Sequence, residues 1–502
     1  MKKLLSIILL ITSILSLSCN HNKLNSSLTS SIGKVGEITV NPLGVTPLSA
    51  VYTTETVNAA PITVTVKGLY GEPDIIHTYP AGYGTEFEIH GMFPESQNTI
   101  EVNDGGRIIT KNINIGSLST SDNTTIQKQY NVEINELSEE KYTNNPELYF
   151  IINATFPFHI AISKNGYTRY LQSGLRGSKL VIENKKIVLY PMYDYKNTDL
   201  LGNILINYPT QVHHDVIKVN NNYLYLSYST WGSEDRLVEI DSSGKKLREL
   251  SFGKLIQNTL DLNTYKEDEA IFKQIVFGED VNNIYVDSSG QKQAVDWFHA
   301  NSIVYDSSTD TLYVSSRTRG VFAIDYSEWK LIWWMADDAL SSGIVNDTHL
   351  NKLASLGPYR VKGAGKDDGP KNQHALFLFA NGNLGMFDNQ GNQAINPNGS
   401  RYVEYTITGT HGNYTAQKVY EYRDSSLYSQ IMSDVDFIGE NYQNLLLTYS
   451  WQTARIVEAE KNTKSVLFRL DLPFETYRVD KLPLYYDEGR VYSEDCNLKN
   501  PN

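Results

Sequence analysis

Apolar and polar positions alternate through most of the stretch between Gly36 and Asn131. EITVNPLG, SAVYTTE, ITVTVKG, TEFEIHG, TIEVND and RIITKNINIG follow one another, and Gly or Pro punctuates each run. A period of two with a turn every ten or so residues is the pattern of strands buried on one face. It predicts a small antiparallel, immunoglobulin-like β-sandwich over residues 37–140.

From about residue 147 the pattern changes to a repeated unit of three or four short strands. ELYFIINATF goes with FHIAISKNG, KLVIENKKIVLYPM with NILINY, and NNYLYLSY with RLVEIDSSGKKLREL. Next come NSIVYD, TLYVSSR, GVFAID and KLIWWM, then HALFLFANGNLGMFDNQG with RYVEYTI and KVYEY. NLLLTYSW with ARIVEAE and SVLFRL ends the series. Units at a spacing of roughly 40–55 residues predict a propeller, here six-bladed and spanning 147–502. An insertion at about 253–298 interrupts the spacing, and 337–372 reads as a long loop crossing the top. A strand near Val491 is expected to complete the first blade. The competing architecture is one or two further sandwiches, which does not explain the repeated order of strand, turn and V-x-x-I-D.

Composition supports the all-β reading, with 34 Tyr and 34 Gly among 502 residues. The formal net charge of −13 and the lack of a basic run argue against nucleic acid or an anionic bilayer as a partner. Residues 1–19 pair Lys2 and Lys3 with an apolar run and end at Ser18-Cys19. They read as a secretory signal with a loose lipobox, so Cys19 is the expected lipid anchor of an exported periplasmic or cell-envelope protein. Residues 20–36 would be its flexible tether. Only Cys19 and Cys496 are present, so no intramolecular disulfide is expected once Cys19 carries lipid.

Ten His are present, and three of them open a blade's first strand, in HHDVIKV, FHANSIV and QHALFLF. First strands line a propeller's channel, so His214, His299 and His374 would converge there, with His213 as the alternative to His214. Arg317 ends the strand that pairs with the one after His299. A single His at a strand end is most simply a satisfied polar residue; three at one phase beside an Arg point to a site. Three imidazoles alone would suit Zn²⁺. A guanidinium repels a metal and attracts a tetrahedral anion through its fork of donors, which favours a sulfate or phosphate group. Trp231, Trp297 and Trp451 are candidates to stack on an aryl ring, against a plainer place in the blade core.

The motifs NPLGVTPLSAVY (41–52), HHDVI (213–217), VSSR ending at Arg317, NQHA (372–375), MFDNQGN (386–392), SRYVEYTI (400–407) and YRVDKLPLY (477–485) occur in an order that resembles the bacterial aryl sulfotransferase family. The resemblance implies a ping-pong transfer of a sulfuryl group from an aryl sulfate donor to a phenolic acceptor. It implies no nucleotide sulfate donor, no metal and no other cofactor. On the same resemblance His374 is the nucleophile that becomes sulfated, while His214, His299 and Arg317 hold the sulfuryl oxygens and move protons. Some family members carry a propeller disulfide, which this chain cannot form there. Two other readings stay open: a tethered propeller that binds without catalysis, and a metal-dependent sulfate or phosphate ester hydrolase. Pairing of protomers into a homodimer is also left open.

Overall fold

The structure, a computed structural model, describes residues 32–138, 141–228, 235–259, 298–337, 341–342, 345–346, 354–363, 368–391, 398–439 and 441–492. The signal segment, Cys19, Cys496, Trp231, Trp297 and residues 260–297 of the expected insertion lie outside the described residues.

The N-terminal alternation folds as two antiparallel sheets. One orders Ile38–Val40, Ser49–Thr53 and Glu86–His90; the other orders Ile75–Tyr79, Ile62–Val66, Ser96–Asp104 and Arg107–Ile115. The strand Ile75–Tyr79 has no counterpart among the alternating runs, because IIHTY lacks a clear period of two. Leu48, Ala50, Val64, Phe87, Ile89, Ile100 and Val102 are buried between the sheets, as the alternation requires. The core continues into the first propeller sheet, and His77 stacks on Tyr485 with ring centroids 4.4 Å apart.

Among the described residues, six further sheets of four or five strands each start from one inner strand, beside two small two-stranded sheets, Leu118–Ser119 with Thr125–Ile126 and Ser341–Ser342 with Val345–Asn346. We label the six inner strands β1 (Gly177–Glu183), β2 (Val212–Val219), β3 (Ala300–Asp306), β4 (His374–Leu378), β5 (Asp434–Ile438) and β6 (Arg478–Leu482). Within the described residues β6 touches β1, β1 touches β2, and so on through β5 back to β6, so the inner strands follow one another around a ring. Each heads an antiparallel meander, for example β3, Thr311–Ser316, Gly320–Asp325 and Lys330–Met335. That stretch therefore holds four strands. This is a propeller, and the strand that joins the chain's end to its first sheet is β6, paired with Leu148–Ile152. Val491 lies in no strand, which corrects the expected closure. The reason is legible in RVDKL, whose alternation fits an inner strand better than the polar EGRVYSE. Val132–Asn135, within the span 37–140, pairs with Val466–Asp471 at the outer edge of the sheet headed by β5.

The expected insertion opens with an α-helix, Phe252–Thr259. Phe252, Leu255 and Ile256 stand at i, i+3 and i+4, one face of a helix, and bury it against Phe298 and Trp334. The expected loop 337–372 contains a 3₁₀ helix, Ala354–Tyr359.

Candidate active site

Four inner strands break register near their heads, β1 between Gly177 and Lys179 and three others at or beside a histidine. The ladder slips between Val212 and Val216 in β2, between Ala300 and Ser302 in β3, and between His374 and Phe377 in β4. Such bulges turn a side chain away from the pleat. They also force the left-handed backbone onto residues with side chains: φ is 59° at His214, 52° at His299 and 52° at Ala375. Non-glycine residues adopt that conformation at a cost of about 1–3 kcal/mol, so the surroundings must hold it. Side chains of neighbouring strands do so by capturing backbone N–H groups near the bulges. Ile303 N donates to Asp215 Oδ2 at 2.9 Å, Leu376 N to Ser302 Oγ at 2.9 Å, and Leu180 N to Asp480 Oδ2 at 3.0 Å.

The bulges bring the imidazoles together. His214 Nε2 lies 2.9 Å from His299 Nε2, and the His214 and His374 ring centroids are 6.1 Å apart. His214 is the third residue of β2, His299 immediately precedes β3, and His374 opens β4, so the three stand within three residues of one another in phase. Of the HHD pair, His214 makes the bond to His299. His213 packs edge-on against it and reaches Tyr193 Oη at 3.2 Å. Arg317 follows the strand Thr311–Ser316, and its backbone N–H donates to His299 O at 3.0 Å, which ties it to the histidines.

Gln373 locks this arrangement. Its buried side-chain NH2 lies 3.0, 2.8 and 3.1 Å from the acceptors Ser315 Oγ, Ser316 O and Gly320 O, and Asn301 Nδ2 donates to its backbone carbonyl at 2.8 Å. One side chain and its carbonyl thus connect the strand of His374 to the Arg317 turn and to the strand of His299. The preceding segment is held by a buried Arg401–Asp388 pair at 2.9 Å. Asp388 accepts from Lys371 N, while Arg401 donates to the carbonyls of Asp368 and Gly369.

His374 has a defined tautomer. Its Nδ1 sits 2.8 Å from Asn389 Oδ1 and 3.0 Å from Asn372 O. Asn389 Nδ2 donates to Ser429 O and Met432 O, which fixes the amide so that its oxygen faces the ring. Both neighbours of Nδ1 accept, so Nδ1 carries the hydrogen and Nε2 keeps its lone pair. Burial is the main reason that the His374 pKa falls to about 3, with Arg317 and His299 lowering it further against the Asn389 bond. At neutral pH the ring is an uncharged base, the form a nucleophile requires. His214 is also held well below the usual range, first by burial and then by His213, His299, His374 and Arg317. On its other side His214 Nδ1 lies 2.9 Å from Tyr477 Oη.

The four residues expected to form a site are therefore neighbours in space. Asn389, Gln373, Tyr477 and Arg401 carry no local signal of a role, although MFDNQGN, NQHA, YRVDKLPLY and SRYVEYTI contain them. Trp451 is half-buried, and its backbone N–H donates to Ser429 Oγ at 3.1 Å. Chemically, the arrangement offers one nucleophilic nitrogen, a guanidinium for a tetrahedral anion, and a pair of imidazoles able to pass a proton.

Comparison with known proteins gives this geometry a context. Residues 133–479 match the family described as Arylsulfotransferase (ASST), and residues 37–115 match the Arylsulfotransferase Ig-like domain. Two relatives are each named arylsulfate sulfotransferase AssT, one from Escherichia coli O6:H1 and one from Lelliottia amnigena. Each is 21% identical, over 521 and 523 residues respectively, covering 81% of this chain and 83% of the relative. Among solved structures, the beta-propeller domain of Cps50 (Swd1) from Myceliophteria thermophila aligns with 71% of this chain and 97% of its own. Its identity is 12% and its TM-score 0.37, too distant to carry functional weight.

Proposed function

The chain belongs to the arylsulfotransferase family and is a sulfotransferase acting on aryl sulfates, and we propose that it works through a sulfohistidine at His374. The reaction has two half-reactions and uses no nucleotide donor. In the first, the Nε2 lone pair of His374 attacks sulfur, the sulfur–oxygen bond to the aryl group breaks, and the phenolate departs with the bonding pair. Arg317 neutralises the sulfuryl oxygens through its fork of donors. Binding of the anionic donor raises the proton affinity of the His214–His299 pair, so the pair takes up one proton from solvent as the donor binds and passes it to the departing phenolate. In the second half-reaction a phenol returns a proton to that pair, its oxygen attacks sulfur, and the nitrogen–sulfur bond breaks with its electrons returning to Nε2. In-line transfer of this kind depends on positioning and charge more than on covalent chemistry.

The observation that carries this reading is the tautomer of His374, with Nδ1 engaged by Asn389 and Asn372 and Nε2 left basic beside His214 and His299. Six blades closing around these residues, with catalysis in 147–502 and the sandwich in 37–140, complete the proposal. It includes export of the protein and its attachment through Cys19. The decisive assay uses 4-nitrophenyl sulfate with and without phenol, in nucleotide-free buffer containing a chelator. Nitrophenolate release that requires phenol and disappears in His374→Ala is expected. Release independent of phenol would indicate a hydrolase instead, and no release with a panel of aryl sulfates would indicate a binding protein.

A further inference from the structure

Among the same inner strands lies a cavity of about 290 Å³ lined by Lys179, Asp215, Asp434, Arg478 and Asp480 among others. Asp434 and Asp480 are pushed up from the usual carboxylate range, chiefly by burial. The charges do not touch substrate in the proposed reaction, yet two of them adjoin the relay in sequence. Asp215 follows His214, and Arg478 follows Tyr477. The result is two rungs between β2 and the head of β6: His214 to Tyr477, the residue before β6, at 2.9 Å, and Asp215 to Arg478 at 3.7 Å.

The second rung bears on the first through a single hydrogen bond. Arg478 Nη2 approaches Tyr477 Oη at 3.5 Å, and a guanidinium can only donate. An oxygen that accepts from Arg478 directs its own hydrogen elsewhere, and the nearby acceptor is His214 Nδ1. His214 then carries its hydrogen on Nε2, aimed at His299 Nε2. Asp215 and Asp434 keep the guanidinium in place at 3.7 and 3.9 Å, and Lys179 balances Asp215 at 2.9 Å. Burial lowers the Arg478 pKa, but Tyr477, Asp215, Asp434 and Asp480 together raise it above the ordinary value, so it stays a cation.

We propose that Arg478, held by Asp215, is a positioning residue that fixes the direction of the hydrogen-bond chain Tyr477–His214–His299, so that His214 presents its hydrogen to His299 and not to Tyr477. The use of that chain in catalysis rests on the sulfuryl-transfer reading; the direction of the chain does not.

The test is nitrogen NMR of protein labelled with ¹⁵N-histidine, with the His214 signals identified by their loss in His214→Asn. The parent is expected to give a pyridine-like Nδ1 and a pyrrole-like Nε2 for His214, the signature of one tautomer. Arg478→Gln is expected to average the two signals and Arg478→Lys, which keeps a donor cation, to restore the separation. Asp215→Asn, which loosens the guanidinium without removing it, gives a second route should Arg478→Gln not fold. With 4-nitrophenyl sulfate, kcat should fall about 10–100-fold in Arg478→Gln, while KM changes little because Arg317 still holds the sulfate. A tautomer unchanged in every folded variant overturns the inference. Because the nitrogen signals need no turnover, a protein inactive toward aryl sulfates would refute the transfer reading and leave this one to be decided separately.

Discussion

His214 and His299 meet nitrogen to nitrogen at 2.9 Å although 85 positions separate them in the chain. At that distance one hydrogen fits between the two nitrogens, so the rings share a proton instead of competing for a ligand. The contact exists because β2 and β3 are neighbours on the ring and each breaks its ladder beside its histidine, around His214 in β2 and just after His299 in β3.

Asn389 should matter to rate much more than to binding. Its amide oxygen keeps the hydrogen of His374 on Nδ1. Asn389→Ala is expected to lower kcat by about 10–100-fold, as second-layer substitutions commonly do, with little change in donor KM. Steady-state kinetics with 4-nitrophenyl sulfate measure both.

Arg317 is expected to contribute to the transition state on the scale of an oxyanion donor. Arg317→Ala should cost about 10²–10³ in kcat. Arg317→Lys should recover only part of it, because an ammonium lacks the planar fork. Equal thermal stability of the two variants would assign the loss to chemistry.

Acid should destabilise the fold through its buried imidazoles, and His159 isolates the effect. Burial lowers its pKa to about 3, against about 6.5 in an unfolded chain. Between those values the unfolded chain binds a proton that the folded one refuses. The contribution of His159 is therefore complete above about pH 6.5 and is lost as pH falls toward 3. Urea unfolding at pH 7 and pH 5 should give a smaller drop in stability for His159→Asn than for the parent; an equal drop would refute the assignment.

Gly320 turns the chain just after Arg317 with φ at +93°, and a Cβ there would meet the carbonyl oxygen of Met335. Gly320→Ala is expected to destabilise by more than about 1 kcal/mol. It should also reduce kcat, because Gly320 O accepts from Gln373. Thermal melts beside kinetics test the pair of effects.

Much of this site was legible before any coordinates. The phase of His214, His299 and His374 at the head of successive repeats gave their convergence, and Arg317 followed from its place after a strand that pairs beside His299. Asn389 and Tyr477 were not legible as partners, because an Asn in a turn and a Tyr before a strand have ordinary local roles. Only the position of neighbouring strands makes them neighbours of an imidazole. The closing strand was misplaced toward Val491 for a related reason, since pairing with Leu148–Ile152 is a contact of the chain's two ends.

Local periodicity by itself determined most of the strands, the repeat and the common phase of three histidines, because alternation and turn residues act within a few positions. Tertiary structure decided which nitrogen of His374 carries the hydrogen, which histidine of the HHD pair meets His299, and how Arg478 and Asp215 sit beside Tyr477 and His214. Those choices depend on hydrogen bonds between strands far apart in sequence, and no local pattern encodes their direction.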